Sequence, residues 1–419
     1  MFFYLAYWLL SPLIWFLVLI ISLFNFKLRH NLLNQQKSYH FVKNKLRDND
    51  KIVILLHAAS MGEFEQLIPI LNEIDRNKFF IILSFFSPTG YERQKNTSLA
   101  DAVCYHPFDF PWSAFFFLKK LEIQHYITTR NDIWPNHLFI ANKMGIKTAL
   151  INANFYKRSH MNSSFIISIY KQIFQYINII LTGSKRLKEN LKLLSPENKI
   201  YVTGDSRIDQ VFNRKKHNQK KILPTIFETS NTLILGSIEK TDYEILFSSL
   251  AEYYPNGQQD LEKKNDCIII VPHETHSINI EKIYTELKKI NFNPIYYNEK
   301  EEKKESRVII INTVGILADL YKYSNLAYVG AGFGGGVHSI IEPMAYANLI
   351  SFGPKFNIVD SAISLVDLKL AQIINSKDDF LAFLNIANNK SLLNEMKKNM
   401  NKFNQEQKSS SKNIINKLF

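Results

Sequence analysis

Two cysteines in 419 residues, Cys104 and Cys267, are too few and too far apart for a disulfide framework or a metal cluster. Each lies in an apolar stretch, so both are expected as buried free thiols in a reducing compartment. No RNA- or DNA-binding motif is present. The formal charge of +13, from 51 Lys and Arg against 38 Asp and Glu, therefore does not by itself argue for nucleic acid. It does suit an anionic partner, whether a membrane surface or an acidic substrate. The dinucleotide fingerprint is also missing: the one glycine-dense stretch has different spacing and falls late in the chain. Charge is lacking altogether from Met1 to Phe26, and no later apolar run is longer than a strand.

That uncharged segment is long enough to span a bilayer, and a proline such as Pro12 is tolerated in such a helix. Lys27, Arg29 and His30 follow at once, then Lys37, Lys43, Lys45 and Arg47. The positive-inside bias puts the C-terminal side in the cytoplasm. A cleaved signal peptide fits less well, because the segment has neither a basic start nor a small-residue cleavage site. The expectation is a single-pass anchor over 1–26 and a cytoplasmic body on the inner membrane.

A hydrophobic share of 46% with 21% charged residues is globular, and 419 residues exceed one ordinary core. From Lys51 the pattern alternates between strand and helix. Strands are expected at Lys51–His57, Phe79–Phe85, Val103–Tyr105, Tyr126–Thr128, Thr148–Asn152, Ile179–Thr182 and Ile200–Thr203. Gln210–Lys221 is basic, without apolar period, and reads as a linker. Alternation restarts with Thr232–Leu235, Cys267–Val271, Asn293–Tyr297, Val308–Ile311, Leu326–Val329 and Leu349–Phe352. Repeated βα units predict parallel sheets covered on both faces. The expected plan is an α/β domain over 40–209, a linker over 210–221 and a second α/β domain over 222–419, with ligands bound at strand C-termini facing a cleft. Glu299–Ser306 reads as a solvated insertion, and the tail from Lys377 as polar amphipathic helices.

The stretch after Leu326–Val329 holds Gly330, Gly332, Gly334, Gly335 and Gly336, with a helix expected over Ser339–Ala347. Glycine at this density lets backbone approach a ligand, and a helix beginning beside it favours a phosphate. Glu342 is placed to accept from ribose hydroxyls. A flexible surface turn is the other reading.

These residues, taken in order, resemble a known family. They are His57-Ala58-Ala59-Ser60-Met61-Gly62-Glu63, Ser87-Pro88-Thr89-Gly90, Trp134-Pro135-Asn136, Asn152-Ala153, Arg158-Ser159 and Thr203-Gly204-Asp205-Ser206-Arg207-Ile208-Asp209, then the glycine turn through Glu342-Pro343 and Phe352-Gly353-Pro354. The series is similar to that of the 3-deoxy-D-manno-octulosonic acid (Kdo) transferases of lipopolysaccharide synthesis, over nearly the whole chain. The resemblance implies a GT-B fold: two Rossmann-like domains facing a cleft, behind an N-terminal transmembrane helix. It implies an inverting transfer of Kdo from CMP-Kdo to a lipid A precursor, without metal or other cofactor, at the inner membrane.

It also implies roles. An inverting transfer needs a base for the attacking hydroxyl. Glu63, after a strand and a glycine, matches the family's base; otherwise it is a carboxylate favoured by a helix dipole. Arg207 matches the family's cation for the departing phosphate; otherwise it is an ion-pair partner of Asp205 or Asp209. The CMP contacts map onto Pro272, His273, Gly315, Ile316, Leu317, Ser339, Ile340, Ile341 and Glu342, beside Gly332, Gly334, Gly335 and Gly336.

The chain departs from the family pattern at three places. Arg130-Asn131-Asp132 stands for a Glu-Thr-Glu triplet, so a transition-state role passes only in part to Arg130 and Asp132. His273 replaces an arginine, and Ser339 an asparagine. Asp48-Asn49-Asp50 looks like a metal-binding acidic motif but lies upstream of the first strand, and His276 and His338 have no separate case as ligands. Phe115-Phe116-Phe117, near Trp112, reads equally as membrane contact or core. Two competing readings are another GT-B enzyme, a UDP-sugar transferase or epimerase, and a catalytically dead sugar-nucleotide-binding protein.

Overall fold

The computed structural model describes residues 2–156, 163–217, 221–297 and 306–419. Arg158-Ser159, residues 218–220 of the expected linker and residues 299–305 of the expected insertion lie outside them. The chain forms two compact units, residues 1–210 with 409–419, and residues 211–408.

The first unit is built on seven parallel strands: β1 (Ile52–Ala58), β2 (Phe79–Phe85), β3 (Ala102–Tyr105), β4 (His125–Thr129), β5 (Lys147–Ala153), β6 (Ile179–Thr182) and β7 (Ile200–Val202). Their spatial order is β3-β2-β1-β4-β5-β6-β7. The apolar runs need cover on both faces, and successive residues go to opposite sides. Val53 and Leu55 enter one core with Phe80 and Ile82, while Ile54 and Leu56 enter the other with Ile81 and Leu83. Three helices matter here: α1 (Phe2–Phe24), α2 (Phe26–Lys45) and α3 (Met61–Glu73). Phe64, Leu67, Ile70 and Leu71 of α3 cover the second core. Tyr4 of α1 and Val42 of α2 are buried in the first.

The second unit has β8 (Asn231–Ile238), β9 (Asp266–Pro272), β10 (Pro294–Tyr296), β11 (Val308–Ile310), β12 (Leu326–Val329), β13 (Leu349–Phe352) and β14 (Ala371–Ile373). They are again all parallel, in the order β10-β11-β9-β8-β12-β13-β14. Each sheet grows in one direction from its first strand, then returns and grows in the other. The winding reverses between β1 and β4 and between β8 and β12. In such sheets the crevice for ligands opens outside the strand C-termini at the reversal.

Two expectations need correction. The segment read as the start of a linker is a helix, Ser206–His217, and the boundary between the units at 210/211 falls inside it. Long polar side chains cost a helix little, and Arg214, Lys215, Lys216 and His217 fill its last turn, where cations offset the dipole. The end of the chain belongs to the first unit, not the second. In its helix Ser410–Leu418, Ile414 is buried in the core beside α3, and the Phe419 ring packs 4.5 Å from that of Phe79, tilted by 39°. Asp209 holds the start of that helix, accepting from Ser409 N (3.0 Å), Ser411 N (2.7 Å) and Ser411 Oγ (2.6 Å). It is therefore engaged with the C-terminal helix.

Asp209→Ala removes three acceptor contacts from a buried position. We expect a loss of about 2–3 kcal/mol in urea unfolding, with faster amide exchange over 409–419 than over β1. Unchanged stability and exchange would contradict this account of the C-terminal helix.

Candidate active site

At the first reversal, β1 runs out into Ser60 and the start of α3. Ser60 is the N-cap: its Oγ accepts from Glu63 N (3.4 Å), and its own N donates to Glu63 Oε2 (3.1 Å). This reciprocal box fixes a half-buried carboxylate at the mouth of the sheet. Burial raises the Glu63 pKa, and the Asp132 charge raises it further; His57 and the backbone N–H groups of Ser60 and Ala59 pull it partly back. The result is a carboxylate more basic than usual.

Asp132 follows β4 and meets the end of β1. His57, fully buried, has Nδ1 2.9 Å from Ser84 Oγ and Nε2 3.0 Å from Asp132 Oδ2. Below this pair is a group the sequence did not reveal. The rings of His57 and His106 are 4.1 Å apart, those of His106 and His137 4.3 Å, and Trp134 lies 4.4 Å from His106. His106 Nε2 is 3.1 Å from Tyr126 OH, and His137 Nδ1 is 2.8 Å from Asp109 Oδ1. Burial lowers the pKa of both His106 and His137, with Asp109 partly opposing it for His137, so burial favours the neutral form of these two rings. Its only trace in the sequence is position: His106 directly follows β3, and His137 directly follows Trp134-Pro135-Asn136.

Arg207 is paired with Asp205: Nε donates at 2.9 Å and Nη2 at 2.6 Å to Oδ2. Burial acts to raise the Asp205 pKa, but the charges and hydrogen bonds of Arg207, together with the Arg130 charge, hold it below the ordinary value. Arg130 takes a positive φ of 63° as β4 ends. Ser206 ties three elements together, since Asn152 Nδ2 donates to its Oγ (2.8 Å), its N donates to Asn152 Oδ1 (3.1 Å) and its Oγ donates to Gln66 O (2.7 Å). The end of β5, the start of the Arg207 helix and α3 are thereby locked.

At the second reversal the glycine turn leaves β12. Buried Asp242 accepts from Ala331 N (2.9 Å), Tyr328 OH (2.9 Å) and Glu239 N (2.8 Å), which pins the turn to the loop after β8. A Cβ on Gly332 would come within 2.4 Å of Gly353 N, and Gly336 has a φ of 122°. A Cβ on Gly334 would meet Thr241 Oγ1 at 3.0 Å, whereas one on Gly335 would meet nothing within 4 Å. The turn is thus a packed feature with one open position. The helix expected from Ser339 is shorter, Ile341–Ala345: the residues from Val337 to Ile340 are irregular, and Val337 N donates to Lys355 O (2.9 Å) in the neighbouring loop. Ser339 Oγ donates to Glu342 Oε2 (2.5 Å). The side chains of Ile340 and Ile341 are buried.

Pro272 is buried at the end of β9, and exposed His273 follows it. Its ring stacks on His338 at 4.4 Å and 17°, and His338 Nε2 lies 3.2 Å from Glu239 Oε1. Burial, then the His273 charge, lowers the His338 pKa. The ligand atoms of Glu239, His273 and His338 lie within 4.8 Å of one another. Near-parallel rings do not aim their in-plane lone pairs at one point, so a metal ion here requires one ring to turn. Gly315 has a φ of 93° with open space beside it, and Leu317 lies against the Gly236 position at the end of β8.

Residues 31–210 match the sequence profile described as 3-deoxy-D-manno-octulosonic-acid transferase (kdotransferase). The chain is 23% identical over 402 residues to a bifunctional glycosyltransferase/methyltransferase of Fusobacterium nucleatum, covering 91% of this chain and 60% of that protein. The chain thus spans less than two thirds of that relative's length. It is 26% identical over 343 residues to a 3-deoxy-D-manno-octulosonic acid transferase of Haemophilus influenzae, covering 78% of this chain and 77% of that one. Among solved structures, a glycosyltransferase of Rickettsia africae aligns with a TM-score of 0.59 at 11% identity, over 88% of this chain and 98% of that one. A UDP-GlcNAc 2-epimerase of Methanocaldococcus jannaschii aligns at 0.54 and 17%, over 81% and 93%. These structures share the fold, two doubly wound units of the GT-B kind.

Gly332→Ala should lower the melting temperature, because backbone blocks the added methyl. Gly335→Ala should leave it within about 1 °C, by thermal melting. Equal effects at the two positions would contradict a packed cradle.

Proposed function

From the chain's membership of the 3-deoxy-D-manno-octulosonic-acid transferase family of glycosyltransferases, we propose that it transfers Kdo from CMP-Kdo to a lipid A precursor, lipid IVA, with inversion. The observation that carries the mechanism is Glu63: a carboxylate on a strand-end cap, half-buried and made more basic than usual by burial and Asp132. In the proposed step Glu63 takes the proton of the acceptor hydroxyl as its oxygen attacks the anomeric carbon and CMP departs. His57 and Asp132 hold the charge environment of that base. The transfer requires neither metal nor cofactor.

The donor's CMP belongs in the second unit. There the glycine turn, Ser339 and Glu342, His273 after β9, and the open Gly315 position lie on loops that follow strands. Arg207 supplies positive charge to the departing phosphate, shared with Asp205. The acceptor is an anionic lipid, which agrees with the net charge of +13. We place the work at the cytoplasmic face of the inner membrane, where α1, an apolar helix of membrane-crossing length, holds the protein. The epimerase fold likeness favours a second reading as a UDP-sugar enzyme. The sequence relatives favour the first.

The test is incubation of purified protein with CMP-Kdo and tetraacylated lipid A precursor, following CMP release and product mass. Wild type should transfer, and Glu63→Gln should be slower by about 10²–10⁴-fold. Because the base works deprotonated, kcat/KM should rise with pH through the raised Glu63 pKa. Asp132→Asn removes a neighbouring negative charge and should move that limb to lower pH. Transfer at full rate by Glu63→Gln, or a limb unmoved by Asp132→Asn, would contradict the assignment.

A further inference from the structure

The residues of α1 alternate between packed and exposed in a regular way. Tyr4, Ser11 and Ser22 are buried, and Tyr7, Trp8, Ile14, Trp15 and Val18 are half-buried. These positions recur at steps of three and four residues, which is one face of a helix from its first turn to its last. The partners of that face are in the first unit. Tyr4 OH donates to Pro135 O (3.2 Å), and Trp8 Nε1 donates to Asn136 Oδ1 (2.7 Å). The Tyr4 ring lies 5.0 Å from Phe139, and Trp15 lies 5.8 Å from Phe108 and 5.5 Å from Phe110. After one residue, Asn25, the chain enters α2, whose Asn31 Nδ2 donates to Phe86 O (2.8 Å) and whose Ser38 Oγ accepts from Tyr105 N (3.1 Å). Both ends of α1 are therefore fastened to the same unit.

A helix fastened in this way has too little free length to cross a membrane. The hydrocarbon core is about 30 Å thick. Phe24 lies only nine positions beyond Trp15, about 14 Å of helix. The face turned away from the unit is nevertheless wholly apolar: Leu5, Leu9, Leu13, Phe16, Ile20 and Phe24 are all exposed, Leu9 by 75% and Phe24 by 88%. Next to it the helix Pro111–Lys120 is joined to α1 through rings, Trp15 to Phe110 and Phe110 stacked on Trp112 at 5.0 Å. On that helix the phenylalanine triplet divides: Phe117 is buried, while Phe115 and Phe116 are exposed with Lys119 and Lys120 over their rings. Apolar side chains edged by cations are what an anionic leaflet recognises. Lys27 and Arg29 add the same edge after α1.

We propose that α1 lies along a single leaflet of an anionic lipid bilayer, one face on the first unit and the other in the acyl region. The helix Pro111–Lys120 touches the same leaflet through Trp112, Phe115 and Phe116. The protein would then be seated in the plane of the membrane, without crossing it.

The full chain with single substitutions Leu5→Cys, Leu13→Cys or Leu23→Cys, spin-labelled and bound to phosphatidylglycerol/phosphatidylethanolamine vesicles, tests this directly. Cys104 and Cys267 are buried and should not take the label. All three positions are exposed, and thermal melting checks that each variant folds. In-plane seating puts all three labels at one shallow depth, about 5–10 Å below the headgroups. A crossing helix puts Leu13 about 12 Å deeper than either end. That result, or failure of the chain to bind the vesicles, would overturn the proposal.

Discussion

Most of what bears on function here depends on where two parallel sheets reverse their winding. A parallel strand cannot return by a tight turn, so each βα unit adds on one side until the chain crosses back. At that crossing two neighbouring strand ends carry loops that leave in opposite directions, and the backbone opens a crevice. In the first unit the loops are those after β1 and β4, which bring Glu63, His57 and Asp132 together. In the second they are those after β8 and β12, which bring Glu239 and Asp242 to the glycine turn and His338. Chemistry-bearing side chains are thus fixed by topology before any one of them is chosen.

The same groups also hold the fold together. Glu63 closes the cap of α3 and is the proposed base: the cap fixes its position, while burial and the Asp132 charge raise its basicity against the cap's own N–H groups. Asp242 is a buried carboxylate that accepts three hydrogen bonds and sets the turn's backbone. Ser206 and Asn152 do comparable work beside Arg207. A substitution at any of these positions therefore alters stability along with the site, and kinetic effects need a folding control.

Strands were legible because burial on both faces requires continuous apolar runs, and such runs stand out between turn residues. Leu326–Val329 and Leu349–Phe352 occur as read, and the first strand differs by one residue at each end. The helix Ser206–His217 was hidden because its polar stretch has no apolar period, and its buried apolar residues are Ile208 and Val211. The docking of the terminal helix on the first unit was hidden because its partner α3 lies over three hundred residues away in sequence. The imidazole column could not be read, since three histidines from β1, β3 and the helix after β4 become neighbours only when the sheet forms. For α1, composition indicated an affinity for lipid, but its packed stripe depends on aromatic partners that are distant in sequence.

The central claim is that the second unit's reversal point receives the donor nucleotide. A crystal structure of the full chain with CMP tests it most directly. The account predicts the phosphate against backbone N–H groups of the Gly332–Gly336 turn and Ser339, with the ribose hydroxyls at Glu342. CMP bound elsewhere, with that turn untouched, would contradict it.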